Sequence, residues 1–137
     1  MCLLQIANCP LLIQLNMAVY DFKTTAVYKK AFALSMEIFQ ISKSFPKEEK
    51  YSLTDQVRRS SRSVCANLAE AYRKKRYPAH FISKLTDCDA ENSETGVWID
   101  FAFGCEYINE EQKTLLLNMN EEVGKLLSHI INNPEKY

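Results

Sequence analysis

Glycine and proline are scarce in this chain. Only three glycines and four prolines occur among 137 residues, so positions that would break a helix are few and widely spaced. This composition is typical of long helices joined by short connections. The length suffices for one domain that buries its own core. The sequence therefore predicts an all-α fold.

The chain also lacks net charge, with 17 basic and 17 acidic residues, so its overall charge does not indicate a nucleic-acid partner. The distribution is uneven. Residues 50–76 contain eight bases and two acids, and residues 86–137 contain three bases and eleven acids. Two interpretations are open: oppositely charged helices attract one another within the fold through individually weak pairs, or the basic segment forms a phosphate-binding surface.

Signals for catalysis or metal binding are missing as well. The five cysteines are odd in number and contain no CxxC spacing, which argues against disulfides and zinc. His80 and His129 are far apart and form no HExxH arrangement. No phosphate loop and no pairing of a nucleophile with a base is recognisable. We expect a protein that is not an enzyme and that uses no cofactor and no metal.

The first 16 residues are apolar and uncharged and are interrupted by Pro10. They are too short for a membrane span and lack the basic start of a secretory signal. We expect residues 1–16 to be an extension upstream of a true start at Met17, with a bundle domain over 17–137; an apolar arm that packs on a neighbouring subunit is the alternative. A cytoplasmic location is expected.

Apolar residues spaced three and four apart predict four helices. The first contains Val27 and Ile38 and ends before Pro46, and the second begins after a Ser52 cap. The third starts at Pro78, and the fourth follows an Asn109 cap. Short connections between them predict an antiparallel, up-down-up-down four-helix bundle.

The second helix carries a polar stripe beside its core-facing stripe. The core stripe contains Leu53, Val57, Ser60, Val64, Leu68 and Ala71. The adjacent stripe contains Gln56, Arg59, Ser63, Asn67 and Glu70. We expect the second set to meet Glu91 and Glu94 of the third helix in an interior polar network. A di-iron site is disfavoured because no Glu-x-x-His motif accompanies these glutamates.

Basic residues of the same helix form the candidate nucleic-acid surface. They are Arg58, Arg62, Arg73, Lys74, Lys75 and Arg76. Tyr72 and Tyr77 flank the last four and could stack on unpaired bases. The alternative for these four cations is a favourable interaction with the helix dipole.

Two helices are more apolar than a monomeric bundle requires. Val97, Trp98 and Phe101 lie away from the inward stripe of the third helix, and Tyr28, Phe32 and Phe39 form a second face on the first. Helices that are apolar on two sides are usually buried on two sides. The sequence therefore predicts a homo-oligomer with Val97, Trp98 and Phe101 at its interface.

The chain resembles the proteins encoded in intervening sequences of bacterial 23S ribosomal RNA genes, whose superfamily includes the accessory variability proteins of diversity-generating retroelements. The matching features are Phe45-Pro46, Tyr51, Leu53, Gln56, Arg58-Arg59, Ser63, Asn67, Glu70, Phe81, Leu85, Glu91, Glu94, Trp98 and Tyr107-Ile108. One departure is Ala71, which replaces the family's usual glycine. The alanine favours a helix that continues into Tyr72 and Arg73.

The resemblance implies a pentameric ring of four-helix bundles without catalytic residues. It also favours RNA over DNA as the ligand, which would make the chain a non-enzymatic, homo-oligomeric RNA-binding protein. A scaffold that docks a protein partner such as a reverse transcriptase is the alternative function.

Overall fold

Four helices make up most of the computed structural model, which describes residues 21–137. They are α1 (Ala26–Ser42), α2 (Leu53–Arg73), α3 (Pro78–Gly104) and α4 (Glu110–Asn132). Three short 3₁₀ turns and no strands complete this part of the chain, which confirms the all-α prediction. The predicted extension 1–16 and the start at Met17 lie outside the described residues.

Local sequence signals fix the helix ends. Asn109 accepts a hydrogen bond from the Gln112 N–H at 2.8 Å, and the Gln112 side chain accepts one from the Asn109 N–H at 3.0 Å, so the predicted cap of α4 is confirmed. Pro78 occupies the first position of α3, where its missing N–H costs nothing. α2 continues through the buried Ala71 to Arg73, as its alanine predicts.

The start of α2 differs from the prediction, because Ser52 makes no capping hydrogen bond. Glu49, from the preceding turn, caps the helix with its carboxylate. Its Oε2 accepts hydrogen bonds from the Leu53 N–H at 3.0 Å and the Ser52 hydroxyl at 2.5 Å, and its Oε1 accepts one from the Tyr107 hydroxyl at 3.0 Å. Glu49 therefore ties the α1–α2 connection to the α3–α4 connection.

This carboxylate makes stability depend on pH. The hydrogen bonds from Ser52, Leu53 and Tyr107 lower the pKa of Glu49 below its ordinary value. Its contribution to stability is therefore fully present above the unfolded-state pKa, about 4.3, and is lost as the pH falls through the lower folded-state pKa. We expect Glu49→Gln to weaken the loss of stability on acidification, and Tyr107→Phe to weaken it less. Urea unfolding at pH 3 to 7 measures this; identical pH profiles for Glu49→Gln and wild type would contradict it.

Each helix packs mainly on two others: α2 and α4 both lie against α1 and α3. The core has two clusters. One is centred on Leu68, Leu85 and Leu127, and the other on Ile38, Val57 and Ile99. All six residues of the predicted core stripe of α2 are buried. No helix in residues 21–137 combines the length and hydropathy needed to cross a membrane.

A reciprocal pair of asparagines joins α3 to α4. The Asn92 side-chain amide donates to the Asn120 carbonyl at 3.0 Å, and the Asn120 amide donates to the Asn92 carbonyl at 2.8 Å. Each asparagine also lies against a glycine of the other helix: Asn120 lies against Gly96 of α3, and Asn92 lies against Gly124 of α4. A Cβ on Gly96 would lie 3.0 Å from Asn120 Oδ1, and one on Gly124 would lie 3.3 Å from Asn92 Nδ2. The repeated Asn-x-x-x-Gly spacing thus makes room for both amides.

Replacing Gly96 by alanine should destabilise the protein, although alanine is favoured over glycine in a helix by about 1 kcal/mol. The new methyl group would push against Asn120, which its hydrogen bonds to Asn92 hold in place. Gly104→Ala is the control, since a Cβ at that position would have nothing within 4 Å. Chemical unfolding should show Gly96→Ala less stable than wild type and Gly104→Ala equal or more stable. A Gly96→Ala protein more stable than wild type would contradict the assignment.

Candidate nucleic-acid interface

Arg58 is held in place on the surface of α2. Its Nε donates a hydrogen bond to the Ser42 hydroxyl at 2.8 Å, and Ser42 in turn donates to the Phe39 carbonyl at 3.2 Å. The Arg58 guanidinium lies 4.9 Å from the centre of the Phe39 ring. A guanidinium that packs on an aromatic face loses less conformational freedom when it binds a ligand.

Two further cations lie close to the Phe39 ring. The Arg62 guanidinium lies 5.9 Å and the Lys43 ammonium 4.7 Å from the same ring. Three positive side chains therefore converge on one aromatic ring of α1: one comes from the residue that follows α1 and two come from α2. Sequence analysis missed this role of Phe39 and assigned it to an apolar face of α1.

The other predicted basic residues form a second group at the end of α2. Arg73, Lys74 and Arg76 are exposed, and the half-buried Lys75 lies with its ammonium 5.9 Å from the Tyr72 ring. At 1.5 Å per residue, Arg58 and Arg73 are about 22 Å apart along the helix. At 100° per residue they still lie within about 60° of each other around the axis. The structure thus divides the predicted surface into two clusters, one along α2 and one at its C-terminal end.

Few of these charges are neutralised within the fold. In the part of the chain that the structure describes, Arg58, Arg62, Arg73, Lys74 and Arg76 form no ion pair. The ion pairs between helices in residues 21–137 join Arg59 to Glu94, Lys30 to Glu122 and Lys84 to Glu70, so only Arg59 among the arginines of α2 is paired with another helix. Attraction between oppositely charged helices therefore does not account for the basic character of α2.

Only one of the two predicted stacking tyrosines is accessible. Tyr77 is 58% exposed, but Tyr72 is 6% exposed and packs edge-on against Phe81, with 5.4 Å between ring centres. The expectation for Tyr72 is wrong because its position, one residue past Ala71, still faces the core between α2 and α3.

The predicted polar network is present in part, but it is not interior. Arg59 contacts Glu94 at 3.4 Å and Gln56 at 3.2 Å, and these Arg59 and Glu94 side chains are 54% and 35% exposed. Glu70 is 59% exposed and pairs with Lys84 at 2.8 Å instead. That pairing and the attraction of Lys84 lower the pKa of Glu70. The interior location is wrong because this stripe lies at the rim of the α2–α3 contact.

Among the remaining members of the predicted network, Asn67 and Glu91 line a shallow groove at the same rim. Ser63, Asn67 and Glu91 are half-buried. The Ser63 and Asn67 side chains have no hydrogen bond to any described residue, and neither does Glu91 Oε2. In residues 21–137 no three Asp, Glu, His or Cys side chains are grouped as a metal site requires.

The polar groups that are buried between the helices are smaller ones. The Thr95 hydroxyl of α3 donates to Ser60 Oγ at 2.9 Å, and both residues are fully buried. Ser35 and Ser61 lie 3.3 Å apart, hydroxyl to hydroxyl, between α1 and α2. The core stripe of α2 includes Ser60, but its hydrogen bond with Thr95 of α3 cannot be predicted from spacing within single helices.

The predicted oligomer surface is largely accessible. Val97 is 49% and Phe101 is 56% exposed. Trp98 is half-buried, packs against the core and donates its indole N–H to Glu94 Oε1 at 3.1 Å. Its ring lies 5.8 Å from that of Phe101. Val97 and Phe101 are therefore the residues available to a neighbouring molecule.

The two half-buried or buried cysteines of the helices are poor nucleophiles. Burial raises the pKa of the Cys65 thiol to about 11 and that of the Cys88 thiol to about 12. Both remain protonated near neutral pH, and only the thiolate is reactive.

Comparison with known proteins agrees with this fold. The crystal structure of a protein of unknown function from Bacteroides thetaiotaomicron, assigned to the S23 ribosomal protein family, is 33% identical to this chain. The match covers 77% of this chain and 95% of the other, with a TM-score of 0.71. No curated protein is significantly similar.

A family model also matches most of the chain. The model of the 23S rRNA-intervening sequence protein covers residues 23–129, which include all of α1, α2 and α3. This match confirms the resemblance seen in the sequence. The chain belongs to the 23S rRNA-intervening sequence protein family.

Proposed function

We propose that this protein is a non-enzymatic, homo-oligomeric RNA-binding protein whose contacts with phosphate come from cations along α2 and in the three residues that follow it. The observation that carries the proposal is the set of five cations, Arg58, Arg62, Arg73, Lys74 and Arg76, without an ion-pair partner in residues 21–137. Unpaired arginines and lysines grouped on one face are the usual electrostatic feature of a phosphate-binding surface.

Family membership favours RNA over DNA, because the family's name refers to sequences within ribosomal RNA genes. The raised pKa values of Cys65 and Cys88 argue against these two thiols as nucleophiles.

For the subunit we propose an antiparallel, up-down-up-down bundle. Contacts between neighbouring helices run in opposite sequence order, which supports this arrangement. Arg59 meets Glu94 while Glu70 meets Lys84, so higher numbers on α2 pair with lower numbers on α3. On α1 and α2, Ser35 lies against Ser61, and Ser42 lies against Arg58.

Two separate apolar faces support assembly into a ring. Phe32 and Met36 on α1 are 50% and 43% exposed, and Val97 and Phe101 form the exposed face of α3. α1 and α3 both pack mainly on α2 and α4, so the two faces point away from each other. A head-to-tail contact between different faces generates a ring when the rotation between subunits closes, and an open filament when it does not. We propose a homo-oligomer of this kind, with five subunits as the family resemblance implies.

Ultraviolet crosslinking of the wild-type protein to RNA, followed by mass spectrometry, tests the RNA-binding surface. We expect crosslinked peptides to contain residues 50–62 and 73–77. Crosslinks confined to the acidic helix α4 would contradict the proposed surface. In that case a scaffold that docks a protein partner, such as a reverse transcriptase, becomes the better interpretation.

A further inference from the structure

Tyr51 is the most exposed large hydrophobic side chain in residues 21–137, with 85% of its surface accessible. It lies two residues before the first residue of α2. Its ring lies beside the Lys50 ammonium, which is 5.3 Å from the ring centre. An exposed tyrosine beside a cation offers a free aromatic face and a positive charge at the same place.

Tyr51 lines an open groove of about 530 Å³ that runs along α2. The groove is lined by cations and hydroxyl groups more than by apolar side chains. Its lining includes Lys50, Tyr51, Thr54, Arg58, Arg59 and Arg62. One carboxylate, that of Asp55, also lines it. With Arg59 paired to Glu94, the remaining charges of the groove still sum to a positive value.

Arg58 is held in place before any ligand binds. Ser42 and Phe39 hold Arg58, and Phe39 also lies under Arg62. The only hydrogen bond of the Arg58 guanidinium to a described residue uses Nε, so its two terminal nitrogens remain available. The two arginines are four residues apart, about 6 Å along the helix, which allows each to contact a different phosphate of one strand.

We propose that this groove binds an unpaired nucleotide of a single-stranded RNA, with Tyr51 stacked on the base and Arg58 and Arg62 on the flanking phosphates. The inference rests on the proposed RNA-binding function and specifies its ligand. A base can stack on Tyr51 only when it is not stacked within a duplex, so the site selects unpaired bases.

The test measures the affinity of full-length wild type and Tyr51→Ala for a single-stranded RNA and for a duplex of the same sequence. Removing one stacking platform should weaken single-strand binding by roughly 5- to 100-fold. Duplex binding should change little. The plot of log affinity against log salt should keep its slope, because no charge is lost, whereas Arg58→Gln should flatten it by about 0.7.

Two controls separate stacking from other effects. Tyr51→Phe keeps the ring and should retain wild-type affinity; Leu115→Ala, an exposed apolar residue on α4, should do the same. When 2-aminopurine replaces the unpaired base, stacking on the ring should quench its fluorescence. Wild type and Tyr51→Phe should therefore lower the fluorescence, and Tyr51→Ala should not.

The outcomes distinguish the site from the general function. If wild type binds RNA and Tyr51→Ala binds it with the same affinity, the site is overturned but the function is not. The same holds if Tyr51→Ala loses equal affinity for single-stranded and duplex RNA. A loss in Tyr77→Ala with none in Tyr51→Ala also overturns the site. Absence of any salt-dependent RNA binding by wild type overturns the proposed function and this site with it.

Discussion

Replacing Arg73, Lys74, Lys75 and Arg76 together by glutamine is expected to weaken RNA binding strongly at low salt. The ratio of wild-type to variant affinity should be several hundredfold larger at ~0.1 M salt than at ~1 M salt. Each lost phosphate contact on a single strand removes about 0.7 from the slope of log affinity against log salt, so four contacts remove about 2.8. The fold should persist, since Arg73, Lys74 and Arg76 are exposed and their interaction with the helix dipole is worth at most about 1 kcal/mol.

Filter binding or fluorescence anisotropy at several salt concentrations measures this effect. The matched control replaces Lys23, Lys29, Lys125 and Lys136 by glutamine, which removes the same net charge from positions outside α2. The control should keep most of the wild-type slope. If the slope of log affinity against log salt falls equally in both variants, overall charge and not the end of α2 governs binding. If the slope changes in neither variant, these four residues contact no phosphate.

Phe101→Glu is expected to dissociate the oligomer into folded subunits. In the proposed ring the new carboxylate would enter an apolar contact without a partner, which costs several kcal/mol at each interface. In the separate subunit the same side chain lies in water, because Phe101 is 56% exposed. Trp98 is less suitable for this test, since it also packs against the core.

Light scattering gives the mass of each species, and circular dichroism reports whether the subunit stays folded. Ser128→Glu introduces the same charge at an exposed position on α4 and should leave the assembly intact. An unchanged oligomer in Phe101→Glu would remove this residue from the interface. A monomeric wild type would refute the proposed assembly altogether.

The helices and the core of α2 could be read from periodicity, because each depends on residues close in sequence. Val57, Leu68 and Ala71 recur at helical spacing, and all are buried. The Asn109 cap follows from a local motif. The Ser52 cap could not be predicted correctly, since Glu49 replaces it with the help of Tyr107, which lies 58 residues away.

Parts of the candidate site depend on contacts between helices and were therefore missed. Phe39 and Ser42 hold Arg58 across the α1–α2 contact, and no pattern within α2 reveals them. The interior location predicted for Arg59 and Glu70 is wrong for a related reason. A helical wheel gives the direction of a side chain around the helix axis, but the distance between α2 and α3 decides whether that side chain is buried. The exposure of Tyr51 likewise follows from its place just before α2.

The asparagine pair between α3 and α4 did leave a signal in the sequence. Asn92 and Gly96, like Asn120 and Gly124, are separated by four residues. Residues four apart lie on the same face of a helix, so each asparagine shares a face with its glycine. Only the packed structure shows that each amide fits against the glycine of the other helix.

The salt dependence of single-stranded RNA binding by the wild-type protein tests the central claim most directly. If the two cation clusters of α2 contact phosphates, log affinity should fall linearly with log salt. A slope of about −4 corresponds to contacts from Arg58, Arg62, Arg73, Lys74, Lys75 and Arg76. A slope near zero, or no measurable binding at ~50 mM salt, would contradict the account.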